Sequence, residues 1–259
     1  MHPTEFTFGT WSLSGGGTLI DLIAATTNAL NGALLARRPD HYRNYTFVGI
    51  ILMAVIGGIA GGVIRDVILQ ETPSAFVNPA YLVFSVAAGV VGYLIAYAHG
   101  QLFREGLFQF MTSFSLPWYA IIGAQKATEA GYPIVGALAI AVIAPTAGRY
   151  LIDVTSGVTP KQFVRGEWFV ATAVGTGFVW IVLSEAGVPY WLSVGAAFLL
   201  GFTFRVVALY RGWEEPLARG PRGLKVHADR RPLLGRKLSG RSQEELRMLG
   251  LAVDEEPAA

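Results

Sequence analysis

The chain has 259 residues, of which 53% are hydrophobic and only 15% charged, with a net charge of +2 and no cysteine. Water-soluble domains carry about 25% charged residues, so that class is excluded, and the lack of cysteine excludes a disulfide framework and a thiolate metal site. The 31 glycines suit helices packed closely in a membrane, where small residues let backbones approach.

A helix needs about 20 apolar residues to cross the hydrocarbon core. Seven such runs follow one another, at 18–36, 47–69, 80–98, 107–127, 133–153, 168–184 and 189–210. The opening residues have no basic segment and the first run contains Asp21, so a cleaved signal peptide is not expected. The second, fourth and fifth runs are interrupted by Gly57-Gly58, Gly61-Gly62, Pro117, Pro145 and Gly148, where a single straight helix is least expected. After Tyr210 the composition turns to Arg, Pro, Gly and Glu, which reads as a disordered tail, 211–259. Residues 216–241 hold eight Lys/Arg and one acid, a pattern that suits anionic lipid at about 1 kcal/mol per basic residue; a solvated orientation signal is the alternative. Ser242 and Glu245 have capping-box spacing.

Sixteen of the 20 Lys and Arg residues test this map. They lie in the first connection (Arg37, Arg38, Arg43), the third (Arg104), the fifth (Lys161, Arg165) and the tail, whereas the N-terminal segment and the even-numbered connections hold only acids such as Glu5, Glu71, Glu129 and Glu185. Basic residues concentrate on the cytoplasmic side. The alternation therefore predicts seven spans with segment 1–17 outside and the tail in the cytoplasm.

The spans also repeat. Gly32 to Arg37 resembles Gly123 to Thr128, at an offset of 91. In the broken spans Ala60-Gly61 aligns with Ala147-Gly148, and Asp66-Val67 with Asp153-Val154, at an offset of 87. Each unit holds three helices, and three is odd, so the two units enter the bilayer in opposite senses. The expected fold class is an all-α integral membrane protein of seven transmembrane helices. It comprises two inverted three-helix repeats, 18–98 and 107–184, kinked at their middle helices (the second and fifth spans), plus a seventh helix, 189–210. Breaks at matching positions point to a central permeation or binding site, since freed backbone groups are tolerated where they line a polar cavity. Tight packing of the Gly-xxx-Gly kind is the alternative.

Arg65, Lys126, Arg149 and Arg205 remain within or at the ends of spans, at about 2.5–3.5 kcal/mol each at the bilayer centre unless they find partners or water. Arg205 stands near the end of the seventh span, where snorkelling accounts for it. Arg149 and Asp153 are four apart and share a helix face. Arg65 and Asp66 are adjacent and point to different sides, so Arg65 is expected to meet an acceptor on another helix, and Asp66 a cation or a donor. Thr112, Ser115, Tyr119 and Lys126 fall within about 60° of one another on the fourth span and form a polar stripe. At the offset of 91, Thr112 maps onto Asp21 and Tyr119 onto Asn28. The first helix of each unit thus presents its polar face from the same symmetry position. The stripe assigns Lys126 to the pathway, against the alternative of an interfacial lysine.

The duplicated three-span unit, the run Gly57 to Asp66 (GGIAGGVIRD), the run Gly123 to Ala127 (GAQKA) and the seventh span resemble a prokaryotic member of the trimeric intracellular cation (TRIC) channel family. Related bacterial sequences have also been labelled glycine transporters. The resemblance covers about residues 18–210. It implies a homotrimer with a separate pore in each subunit for monovalent cations, in the plasma membrane of a bacterium. The pore-shaping positions would be Gly61, Gly62 and Arg65 on one side and Gly148 on the other, and the gating lysine Lys126. The second unit departs from the family pattern, because Arg149 stands one turn early.

The expected function is therefore a K⁺- and Na⁺-permeable channel. Its ion pathway would involve Asp21, Asn28, Gly61, Gly62, Arg65, Asp66, Thr112, Ser115, Tyr119, Lys126, Gly148, Arg149 and Asp153. The alternative is a secondary transporter of glycine or another small zwitterion, working by rocking one unit against the other. An enzyme is not expected: His2, His41, His99 and His227 show no metal-ligand spacing, and nucleophile-elbow and phosphate-loop motifs are absent. Neither a cofactor nor a nucleic-acid partner is expected; lipid and K⁺ or Na⁺ are.

Overall fold

The computed structural model describes residues 7–8, 11–12, 16–36, 45–98, 101–160, 162 and 168–213. The chain divides into a unit of residues 1–216 and a unit of residues 217–259. The second unit, with the basic tail and the Ser242–Glu245 capping box, lies outside the described residues, as do Arg37, Arg38, Arg43, Lys161 and Arg165.

The described part of the first unit is helical: α1 Gly16–Leu35, α2 Phe47–Ile68, α3 Ser74–Val77, α4 Ala80–Ala98, α5 Gln101–Glu129, α6 Ile134–Thr155, α7 Phe169–Glu185 and α8 Tyr190–Tyr210. The exception is a two-residue antiparallel pairing of β1 (Thr7–Phe8) with β2 (Trp11–Ser12). Seven helices have 17 residues or more. They coincide with the seven apolar runs, and the single turn α3 lies between the second and the third. α5 begins six residues before the apolar run, so Arg104 belongs to this helix and not to a connection. At 29 residues and 1.5 Å per residue it is about 43 Å long, more than the hydrocarbon core of about 30 Å. Among the described residues, α1, α2, α6 and α8 each carry a window long and apolar enough to cross a membrane.

Helix ends follow backbone chemistry. α5, α6, α7 and α8 each close on a glycine of positive φ, namely Gly131, Gly157, Gly187 and Gly212. The amide after each glycine reaches back to a carbonyl in the last turn, as from Tyr132 N to Ala127 O (3.0 Å) and from Val158 N to Asp153 O (2.9 Å). This is the cap that a left-handed residue permits. At the end of α2 the same geometry falls on Gln70 (φ 59), and Glu71 N closes on Asp66 O at 2.8 Å.

The repeat is written into the packing. Gly32 of α1 lies against α2, where an added Cβ would stand 2.3 Å from Met53 O and 3.0 Å from the Ala54 Cα. Gly123 of α5 lies against α6 at Ile140 O (2.9 Å) and the Ala141 Cα (3.1 Å). Met53 and Ile140 are 87 apart, as are Ala54 and Ala141, so the two contacts are equivalent. α1 packs on α2 and α4 as α5 packs on α6 and α7. The halves join through α1 against α5 and α2 against α6, and α8 is added on α7 and α5.

α2 and α6 are continuous helices through their glycines and through Pro145. Their glycines serve close approach: a Cβ on Gly61 would stand 2.1 Å from Ala144 O, and one on Gly148 would stand 3.1 Å from Gly57 O. Gly61 matches Gly148, and Gly57 matches Ala144, at the offset of 87. The contact therefore maps onto itself under the exchange of halves, as a contact on a pseudo-twofold axis must. Arg205 corrects the snorkelling expectation. It is 1% exposed, and its guanidinium lies 5.5 Å from the centre of the Phe169 ring, so packing against α7 holds it inside the bundle.

Candidate functional site

The polar residues of the bundle gather at two ends of one file. At the first end α2 presents Arg65, which is 0% exposed. Its Nη1 and Nη2 donate to Asp21 Oδ1 and Oδ2 of α1, both at 2.8 Å, and its Nε donates to Asp66 Oδ1 at 2.8 Å. The expectation of a partner on another helix is met by Asp21. The expectation that Arg65 and Asp66 diverge is corrected, because the long arginine side chain folds back onto its neighbour's carboxylate.

Asp66 is the junction. Its Oδ2 accepts from Ser74 N (2.9 Å) and Ser74 Oγ (3.1 Å) at the start of α3, and its Oδ1 accepts from Lys126 Nζ of α5 at 3.0 Å. Lys126 also donates to Glu71 Oε2 at 2.9 Å and to Ser74 Oγ at 3.3 Å. From α4, Tyr81 donates its hydroxyl to Asp21 Oδ2 at 3.2 Å. Two cations and three carboxylates thus meet, with a formal charge of −1. The cluster grades outward: the side chain of Asp66 is 1% exposed, that of Lys126 19% and that of Glu71 42%. Charges this deep are tolerated only when paired and hydrogen-bonded.

In the middle of the file, Asn28 Nδ2 donates to Gly57 O at 2.8 Å, and the Tyr119 hydroxyl donates to Gly58 O. Asn28 and Tyr119 hold matching positions in the two halves, yet both engage neighbouring carbonyls of α2. At the far end Asn31 Nδ2 donates to Thr112 Oγ1 (3.3 Å), which donates to Phe108 O (2.9 Å). Arg149 Nε donates to Asp153 Oδ1 at 3.0 Å, the i,i+4 pair expected, and its guanidinium lies 5.0 Å from the centre of the Phe108 ring.

Three cavities follow this file. A recess of about 260 Å³ is lined by Asp21, Ser74, Tyr81, Gln125, Lys126 and Glu129 among others. Next is a void of about 10 Å³ lined by residues including Asp21, Gly58, Gly62, Arg65, Asp66, Tyr81 and Tyr119. Last is one of about 20 Å³ with Asn28, Asn31, Thr112, Ser115, Tyr119, Pro145 and Arg149 on its wall. Asp21 borders the first two and Tyr119 the last two. Asp21, bonded to Arg65, and Tyr119, bonded to Gly58 O, thus stand between neighbouring cavities. The two inner voids admit about one water-sized group each, so this conformation is closed to a hydrated ion. Gly61 and Gly148 line none of these three cavities; they sit at the α2–α6 contact, while Gly62 borders the middle void.

Residues not singled out from the sequence include Tyr81, Ser74, Gln125 and Asn31. Asn31 follows Asn28 by three positions, so the stripe rule applied to α5 would have found it on α1. Tyr81 and Ser74 stand alone in their segments and gave no periodic signal.

A family model described as "Glycine transporter" matches residues 15–97 and 109–185. A UPF0126 membrane protein of Deinococcus radiodurans is 27% identical over 85% of this chain and the whole of that protein. A UPF0126 membrane protein of Streptomyces coelicolor is 32% identical over 30% of this chain and 34% of its own. Among solved structures, the TRIC trimeric intracellular cation channel orthologue from Rhodobacter sphaeroides aligns with a TM-score of 0.68 at 27% identity, covering 76% of this chain and 98% of that one. A prokaryotic TRIC channel solved in 0.5 M KCl aligns with a TM-score of 0.68 at 21% identity, over 75% of this chain and 96% of its own, which bears on fold alone. Its two halves both matched, this multi-pass membrane chain belongs to the glycine transporter family and has the fold of the TRIC channel structures.

Proposed function

We propose that the protein is a channel for monovalent cations, K⁺ and Na⁺, with one pore in each subunit of a homotrimer. It would lie in the cell membrane with the N-terminus outside, the C-terminus cytoplasmic and the basic tail against anionic lipid. The observation that carries this reading is the series of three cavities inside a single subunit, from the Lys126 recess to the void at Asn31 and Thr112, in which Asp21 and Tyr119 each border two. The formal charge of −1 at its wide end attracts cations. The likeness to the Rhodobacter sphaeroides cation channel orthologue supports it.

Lys126 fits a movable barrier. It is held by three acceptors, one of them on the half-exposed Glu71, and release of these contacts would unload Asp66 and open the recess toward Asp21. A lysine moving through part of the membrane field responds at about 2.3 kcal/mol per charge per 100 mV. Planar-bilayer recording of the full chain under a KCl gradient tests the reading: unitary steps with a K⁺-selective reversal potential are expected, and Lys126→Gln is expected to raise open probability and flatten its voltage dependence. A variant that leaves both unchanged rules out the gating role.

A second reading, secondary transport of glycine or another small zwitterion, is favoured by the description of the family whose model matches both halves. Saturable glycine uptake into liposomes without unitary steps would establish it in place of the channel.

A further inference from the structure

The connection between α2 and α4 stays at the membrane surface. α2 has 22 residues, about 33 Å at 1.5 Å per residue, which matches a hydrocarbon core of about 30 Å, so Ile68 stands at one boundary. Tyr132 marks the same level: its hydroxyl donates to Ile68 O at 3.5 Å and its ring is partly exposed, as suits an aromatic residue of the interface. α4 begins again at Ala80, and the single turn α3 packs on both α2 and α4.

α3 presents different chemistry in different directions. Ser74 faces inward, where its N and Oγ donate to Asp66 Oδ2 and its Oγ accepts from Lys126. Ala75 is 5% exposed, whereas Phe76 and Val77 are 67% and 66% exposed. The preceding Gln70, Glu71 and Thr72 are exposed and polar, as a connection in water should be. Two large apolar side chains exposed side by side in such a segment mark a contact surface. Exposed apolar residues continue on both sides of it, with Val67 and Ile68 on the last turn of α2 and Val83 and Phe84 near the start of α4, where spanning helices meet lipid.

We propose that Phe76 and Val77 dip into the acyl boundary of the bilayer, so that lipid holds α3 in place and α3 in turn holds Ser74 on Asp66 and Lys126. Two side chains fall far short of the about 800 Å² per partner that a stable protein interface buries, whereas a lipid surface accepts a short apolar tip at this depth. With the anchor lost, α3 lifts, Asp66 loses both Ser74 donors and Lys126 loses one of its three acceptors. The bearing of this on gating rests on the proposed role of Lys126; the anchor itself does not.

The native chain has no cysteine, so Phe76→Cys, Val77→Cys and Thr72→Cys each give a single site for a nitroxide label in the full chain, reconstituted in phosphatidylcholine nanodiscs. Labels at 76 and 77 are expected to collide preferentially with oxygen, which partitions into lipid, and the label at 72 with a water-soluble nickel chelate. Nickel preference at either 76 or 77, or shielding of both from the two reagents as a second copy packed there would give, overturns the lipid contact. The link to Lys126 is read in the same nanodiscs by amine acylation and mass spectrometry, with Lys225 of the tail as reference. The double variant Phe76→Ser, Val77→Ser is expected to speed acylation of Lys126 relative to Lys225 about fivefold, the weight of one lost hydrogen bond. An unchanged ratio overturns the link. Neither readout uses ion flux, so failure of the anchor and failure of the channel reading are told apart.

Discussion

The two arginine ends of the bundle descend from one repeated unit and solve the same electrostatic problem differently. At the first end Arg65 bridges α1 and α2, and Asp66, Ser74, Tyr81 and Lys126 extend the network to α3, α4 and α5. At the second end Arg149 bonds within its own helix through Asp153 and rests on a phenylalanine ring. The first arrangement ties helices together through charged side chains, while at the second α1 and α5 are joined by the neutral Asn31–Thr112 bond. The difference traces to Asp21 against its counterpart Thr112, and to one turn of helix in the placement of the arginine.

Removing a carboxylate from each end tests that contrast most severely. Asp21→Asn leaves the bidentate face of Arg65 without its anion, and a loss of about 3–5 kcal/mol is expected. Asp153→Asn is expected to cost less, because Arg149 holds Asp153 by one hydrogen bond where Arg65 holds Asp21 by two. Thermal unfolding of both variants in the same detergent measures this, and an equal or larger loss in Asp153→Asn breaks the comparison.

The glycines at the α2–α6 contact come next. Gly61→Ala sets a methyl 2.1 Å from the Ala144 carbonyl oxygen, backbone that yields little, so a loss of about 1–3 kcal/mol is expected. In Gly62→Ala the nearest atom is Arg65 Nη2 at 3.7 Å, ordinary contact, and unfolding is expected to shift little. Tyr119→Phe removes the hydroxyl of the residue that borders both inner voids; about 1 kcal/mol of stability is expected to go with the hydrogen bond, and cation flux into liposomes is expected to rise. The smallest effect is at Gln70. Its left-handed conformation (φ 59) suits glycine better, and Gln70→Gly is expected to raise stability by up to about 1 kcal/mol.

Much of the fold was legible because a bilayer imposes simple rules. The alternation of Arg37, Arg104, Lys161 and the tail basics against Glu71, Glu129 and Glu185 separated seven runs, and the helices fall on them. The stripe of Thr112, Ser115 and Tyr119 borders one cavity because a helix keeps residues at that spacing on one face. What stayed hidden depends on tertiary detail. The choice of Asp21 as the partner of Arg65, the turn at Gln70 that carries Glu71 and Ser74 over Asp66, and the inward tyrosine of α4 follow from how helices meet. The glycines and proline of α2 and α6 suggest openings when the sequence stands alone. Gly61 and Gly148 instead bring two backbones together, and only the neighbouring glycines face the void.

The meeting of Gly61 with Ala144 and of Gly148 with Gly57 also constrains motion. Two bodies that touch main chain to main chain at a point on their own symmetry axis tilt about that point far more readily than they part there. A tilt of the halves about this contact would move the Lys126 recess and the Arg149 void in opposite senses.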